Sequence, residues 1–250
     1  MDLSILFMKT KQANYLLASL VFIAFGWFVI AQQRTPLDLS ILLPYRASFI
    51  SGFYNTIIVS VIALIGSVVL GFILFILSTT KILFFRAFTD ILTEIVYGTP
   101  LLVMIIVMAF VIGPAFNTFN RNVMGVTGLI VYIAPYMTNI FKSAFSSISD
   151  DQYMAMDLFG FSSYQRYRYL IIPQVIRGLM PPLMNNFSLI IKGSALLNVV
   201  SYRELFYRAE GITSETFAFV EVYLVMWGMY LLITIPLSQL TRYIERRWAI

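Results

Sequence analysis

Lys192 is the one charge in the run "IIKGSALL", inside a stretch otherwise apolar enough to cross a bilayer. A cation at membrane depth is costly, and it is kept for ion or ligand work unless a carboxylate neutralises it. Gly193 and Ser194 follow directly and loosen the helix, which exposes backbone groups to a cavity in the manner of discontinuous transporter helices. Two roles stay open for Lys192: contact with a ligand in such a cavity, or pairing with a carboxylate of its own or a partner helix. Glu94 and Glu221 also fall in apolar runs, near enough to the ends to serve equally as helix anchors, and Lys142 can snorkel. Gly98-Thr99-Pro100 interrupts another run, where it either kinks a helix for packing or shapes the wall of a path.

Covalent chemistry is largely excluded. The chain has no His and no Cys, so disulfides, thiolate catalysis, histidine triads and the usual zinc sites are absent. No G-x-x-x-x-G-K-[ST] occurs, so ATP, if it drives anything, is bound by another chain.

The elements that must hold these residues are membrane helices. Of the 250 residues 60% are hydrophobic and 12% charged, and the mean hydropathy is +0.85; ordinary soluble domains lie far from this. A helix needs about 20 apolar residues to cross a hydrocarbon core of roughly 30 Å. Tyr15–Ile30, Thr56–Leu77, Ile95–Ile112, Met124–Ile140 and Phe217–Leu237 meet that need, and Pro182–Val200 is a sixth span broken by Asn185, Asn186, Lys192, Gly193 and Ser194. The fold class is therefore an all-α integral membrane protein with about six transmembrane helices. The first run follows Lys9 and Lys11 and ends in Val29-Ile30-Ala31, a loose cleavage pattern, and it reads as an uncleaved anchor rather than a signal peptide.

Orientation follows from the basic residues. With the N-terminus inside, cytoplasmic segments hold Lys9, Lys11, Lys81, Arg86, Lys142, Arg166, Arg168, Arg177, Arg242, Arg246 and Arg247, and outer ones hold only Arg34, Arg46, Arg121, Arg203 and Arg208. Both termini are thus expected in the cytoplasm. The net charge of +5 reflects this bias, and its dispersal argues against nucleic-acid binding.

The segment "DQYMAMDLFGFSSYQRYRYLIIPQ" is then a cytoplasmic loop with its own helix punctuation. Ser149 with Gln152 fits a capping box, Gly160 fits a left-handed helix end, and Ser162 with Gln165 fits a second box for a helix expected to stop near Pro173. Met154, Leu158 and Phe161 make one apolar face, which either packs on the protein itself or docks in the groove of a soluble partner. Beyond the membrane, "NVVSYRELFYRAEGITSETF" reads as a gate helix and landing surface for a soluble protein, or as an interfacial helix with aromatic anchors.

The Gly160-to-Pro173 spacing in "GFSSYQRYRYLIIP", the following "QVIRGLMPPLMNNFSLIIKGSALL", "EIVYGTPLLV", "FISGFYNTIIVSVIALIGSVVLGFIL" and "TFAFVEVYLVMWGMYLLITIPLSQLTRYIERR" appear in one order. Together they resemble permease subunits of type I ATP-binding-cassette importers, and more narrowly the polar amino-acid permeases. The likeness covers about Tyr45 to Arg247. It implies a five-helix permease core over 45–250 with a coupling loop at about 149–174, preceded by an extra helix within 1–44. It also implies a prokaryotic plasma-membrane location, alternating access and amino-acid substrates. The implied partners are a cytoplasmic ATPase dimer carrying ATP and magnesium, a second permease chain, and an extracytoplasmic substrate-binding protein.

Carried over by position, Met154, Ala155, Asp157, Gly160, Phe161, Ser162 and Ser163 would form the ATPase-coupling joint. Thr99, Pro100, Lys192, Gly193 and Ser194 would border the substrate path. Four positions depart from the family pattern: Met154 replaces the acidic residue of the loop motif, Tyr97 an arginine, Asn139 a glutamate and Gly193 an aspartate. The loss at Met154 points to one half of an asymmetric permease pair, with drift within a homodimer as the other explanation. An ion-driven secondary transporter is the alternative function; it predicts activity without an ATPase and usually an internal repeat.

Overall fold

The computed structural model describes residues 3–33 and 36–248, with side-chain surroundings from residue 13. Arg34, counted above as an outer charge, lies outside the described residues, as do the side chains of Lys9 and Lys11. Two compact units are present, Met1–Leu43 and Pro44–Ile250. The first is built on helix α1 (Leu3–Ala31), whose large side chains from Tyr15 to Ile30 are all exposed, as a helix solvated by lipid requires.

The second unit holds α2 (Arg46–Thr79), α3 (Leu83–Tyr97), α4 (Leu101–Val107), α5 (Gly113–Ala115), α6 (Arg121–Ser146), α7 (Asp150–Leu158), α8 (Ser163–Gln165), α9 (Ile172–Gly193), α10 (Leu205–Thr216) and α11 (Phe219–Trp248). No strand occurs among the described residues. Among the described residues of both units, five helical stretches, Ala13–Ala31 of the first unit included, are long and apolar enough to cross a membrane, and the bent pair α3 and α4 makes a sixth if counted as one span.

Lipid tails are as apolar as leucine, so helices in a bilayer associate by close packing and hydrogen bonds rather than by escape from water. Helix α2 is patterned accordingly. Its buried stripe is Thr56, Ser60, Ala63, Ser67 and Gly71, all small, and its opposite stripe is the exposed Ile58, Ile62, Ile65, Val69 and Ile76. The small stripe admits α6, where the Thr138 hydroxyl donates to the Gly71 carbonyl at 3.0 Å. Val59, Ala63, Ile105, Leu129, Ile133, Met137, Ile190 and Leu197 form the shared core of α2, α4, α6 and α9 with the turn after it.

Two sequence-based boundaries are corrected. The span expected over Ile95–Ile112 is not one straight helix: α3 and α4 meet at 112° across Gly98-Thr99-Pro100. Pro100 has no N–H to give α3, its ψ of 142° is extended, and it caps the start of α4 instead. The helix opened by Ser162 does not stop at Pro173 either. It widens to a π-helix over Arg166–Ile171 and continues as α9. The wider turn moves the carbonyl that would clash with the Pro173 ring, so the proline sits in the first turn of α9 without ending the helix.

Candidate functional site

The loop at 149–174 is rigid by construction. Ser149 accepts from the Gln152 amide, and Ser162 and Gln165 form a complete, reciprocal capping box. Between the two helices Gly160 has a φ of +67°, and the Phe161 amide reaches back to the Met156 carbonyl at 3.0 Å, a Schellman closure of α7. Arg166 then braces the corner: its guanidinium pairs with Asp157, and its Nε donates to the Phe161 carbonyl at 2.9 Å. Met156 is buried among Phe141, Ile148, Ile171 and Val175, with Tyr153 and Phe161 packed alongside, which ties the loop to α6 and α9.

The predicted apolar face of α7 divides in two. Phe161 is half-buried in this internal cluster, whereas Met154 and Leu158 are exposed, Leu158 at 87%. Phe159 joins them at 80%. Beside them Gln152, Ala155, Met156, Phe159, Phe161, Leu170 and Gln174 line a hollow of about 320 Å³. The anchoring residue is Met156, out of step with the face predicted from spacing, because Tyr153, Met156 and Phe161 follow the surface of α9 rather than one helical stripe.

Lys192 lies elsewhere, in a polar cleft of about 490 Å³ between α9 and α11. Asn185, Ser188 and Lys192 recur at helical spacing on α9, and Thr234, Ser238, Thr241 and Arg242 do so on α11. Lys192 forms no ion pair among the described residues. The other path residues are not in this cleft. Ser194 is buried, with its hydroxyl donating to the Ile191 carbonyl at 2.8 Å, and Gly193 faces α4 so closely that a Cβ would come within 2.9 Å of Leu101. The Thr99 hydroxyl donates to the Ile95 carbonyl at 2.6 Å, and Pro100 opens α4. Thus Gly193 holds α9 against the helix that begins at Pro100, and the α-helix gives way to a 3-10 turn at Ser194–Val200.

Two further constellations complete the picture. The Asn139 amide donates to the Tyr97 hydroxyl at 2.6 Å, so these two of the four positions singled out in the sequence meet as a neutral pair, with the Tyr136 ring centred 4.8 Å from that of Tyr97. At the end of the bundle remote from the loop, Glu204 is fully buried. It caps α10 by accepting from the Tyr207 amide at 2.8 Å, accepts from the Tyr230 hydroxyl at 2.8 Å, and lies 3.4 Å from the Thr56 hydroxyl. Burial pushes its carboxyl above the usual range, and these hydrogen bonds oppose the shift. Sequence reading missed it, since "YRELFYRAE" has the composition of any exposed amphipathic turn. The position of Glu204 directly before an apolar helix start, as an N-cap, was the available signal. Of the other charges, Glu94 is exposed on α3, Lys142 is half-buried near the end of α6, and Glu221 is buried in the first turn of α11.

Known proteins match this arrangement. Residues 81–250 fit the family model described as binding-protein-dependent transport system inner membrane component. The probable glutamine ABC transporter permease protein GlnM of Bacillus subtilis is 31% identical over 211 residues, 84% of this chain and 98% of that protein. The glutamine transport system permease protein GlnP of Escherichia coli K12 is 28% identical, over 85% of this chain and 98% of its own. Among solved structures, an amino acid ABC transporter with histidines superposes with a TM-score of 0.75 at 26% identity, over 85% of this chain and 100% of that one. An inward-facing MetNI methionine transporter shares the fold, with a TM-score of 0.63 at 15% identity over 81% and 98%.

Proposed function

Because this chain belongs to the family of inner membrane components of binding-protein-dependent transport systems, and is the permease subunit of an ATP-binding-cassette importer for amino acids, we propose that its 149–174 segment is the joint to a separate ATPase. The observation that carries this is the exposed apolar ridge Met154, Leu158 and Phe159 on a corner braced by Arg166, Asp157 and Gly160. A braced corner transmits displacement instead of absorbing it, and a ridge left bare outside the spans suits the cleft of a soluble partner. In this reading Met154, Ala155 and the turn Gly160, Phe161, Ser162 and Ser163 meet the ATPase, while Asp157 holds the corner. ATP and magnesium stay on that partner, whose closure and reopening drive the alternating access of the bundle.

In this reading the loop faces the cytoplasm together with both termini, which the bias of the basic residues supports, and the bacterial relatives support a prokaryotic plasma membrane. Lys192 lies on the path in the α9–α11 cleft, and Thr99, Pro100, Gly193 and Ser194 shape its wall by fixing α4 against α9. The relatives named for glutamine support a small zwitterionic substrate. An extracytoplasmic binding protein delivers it, and a second permease chain completes the channel. Met154 and the neutral Tyr97–Asn139 pair favour a partner permease of different sequence. The ion-driven alternative draws no support from these relatives. Purification in mild detergent through a terminal tag, with mass spectrometry of the co-purifying chains, tests the proposal. Two ATPase chains per pair of permeases are expected; a stable complex without ATPase that still transports after reconstitution would sink it.

A further inference from the structure

We propose that the α9–α11 cleft is a charge filter, admitting amino acids with neutral or acidic side chains and rejecting those with a net positive charge. This rests on the reading of the cleft as part of the substrate path. The lining carries two cations, Lys192 from α9 and Arg242 from α11, and among the described residues none of the lining side chains is acidic. Neither cation forms an ion pair within the described chain. Between them the polar groups are neutral: the Asn185 amide and the Ser188, Thr234, Ser238 and Thr241 hydroxyls. Two of these, Thr234 and Thr241, donate to carbonyls of their own helix, at 2.9 Å each, and therefore present oxygen lone pairs rather than O–H groups to the cleft.

The combination is asymmetric in charge but not in hydrogen bonding. Hydroxyl and amide oxygens accept from the α-ammonium of a zwitterion, and one of the two cations meets its α-carboxylate. A second carboxylate on the solute finds the second cation. A cationic side chain finds no counter-ion among the lining residues and is repelled by the two exposed cations. Lys192 and Arg242 are thus specificity-determining residues for a solute that the chain accepts by its surplus or balance of negative charge.

The natural absence of cysteine allows a direct reading of the potential in the cleft. Ser188→Cys and Ser238→Cys would be made singly in the assembled transporter in lipid, with cysteines of the partner chains replaced. Each thiol would be titrated with methanethiosulfonates of matched size bearing a sulfonate or a trimethylammonium group, and rates would be normalised to a free thiol. The expected result is a preference for the anionic reagent of about tenfold or more, reduced several-fold when Lys192→Gln is added. If neither reagent reacts at either position, the cleft is closed to water, and the path reading falls together with the filter. If both react without anion preference, the path stands and the filter is overturned, the two cations being neutralised by the second permease.

Discussion

At the scale of single residues, Gly160 and Glu204 are constrained by different physics. Gly160 needs its positive φ, yet nothing lies within 4 Å of where a Cβ would stand. Gly160→Val therefore strains the backbone alone, by at least about 1–2 kcal/mol, and leaves membrane insertion intact. Uptake by the assembled transporter should fall well below wild type while ATP hydrolysis continues; normal uptake would refute the assignment of the corner as a joint. Glu204 is held by burial. Because its carboxyl is raised in the folded state, the native protein binds more protons than the unfolded chain, and stability declines as pH rises from the ordinary carboxylate range through the raised value. Glu204→Gln keeps one acceptor oxygen, for the Tyr207 amide, and turns its amide N–H toward the Tyr230 hydroxyl oxygen, which must then accept; it should abolish that slope at a cost of about 1.5 kcal/mol. Glu204→Ala strands both donors and costs about 3 kcal/mol or more. Thermal unfolding across pH distinguishes the three proteins. Neither the burial of Glu204 nor its partners was legible from local sequence, because Thr56 and Tyr230 stand 148 and 26 positions away.

At the scale of elements, the corner between α7 and α9 depends on a pair that contributes little to stability. Arg166 and Asp157 are 27% and 62% exposed, so their attraction is screened and worth about 1 kcal/mol at most. Arg166→Gln should leave the unfolding temperature nearly unchanged while raising the ATP hydrolysed per solute moved, because the corner flexes under load. An unchanged coupling ratio would show that the caps suffice. The caps themselves were plain in the sequence: Ser162 with Gln165, and Gly160 at the helix end, are local rules acting within a turn or two. Pro173 and Pro100 were harder. A proline marks a lost donor, but whether the chain stops, bends by 112° or slips into a π-turn is decided by what packs on either side. The anchor at Met156 was missed for the same reason, since the surface of α9 that it follows is not a property of α7.

At the scale of the whole molecule, the solvent is lipid on some faces and water or protein on others, and polarity must follow that division. The α2 stripe of Ile58, Ile62, Ile65, Val69 and Ile76 and the cleft stripe of Asn185, Ser188 and Lys192 both lie on long apolar helices, and both are open to the surroundings of the second unit. Composition identified the helices as membrane spans, and Lys192 as an anomaly, but the cleft exists only because α11 brings Ser238 and Arg242 to the same groove from more than forty positions away. The two stripes should respond oppositely to one added carboxylate. Ile65→Asp places it among exposed apolar side chains near the middle of α2, where burial in lipid would cost about 3 kcal/mol. Ser238→Asp places it between Lys192 and Arg242, where an opposite charge is welcome and the cost is offset. Reconstituted in lipid, the Ile65 variant should unfold at a clearly lower temperature. The Ser238 variant should unfold near wild type or above it, yet transport more slowly, because an internal carboxylate now occupies the cations that meet the solute. Equal loss of stability in both would mean that the α9–α11 cleft is solvated by lipid, and that its polar residues serve the packing of helices rather than the passage of substrate.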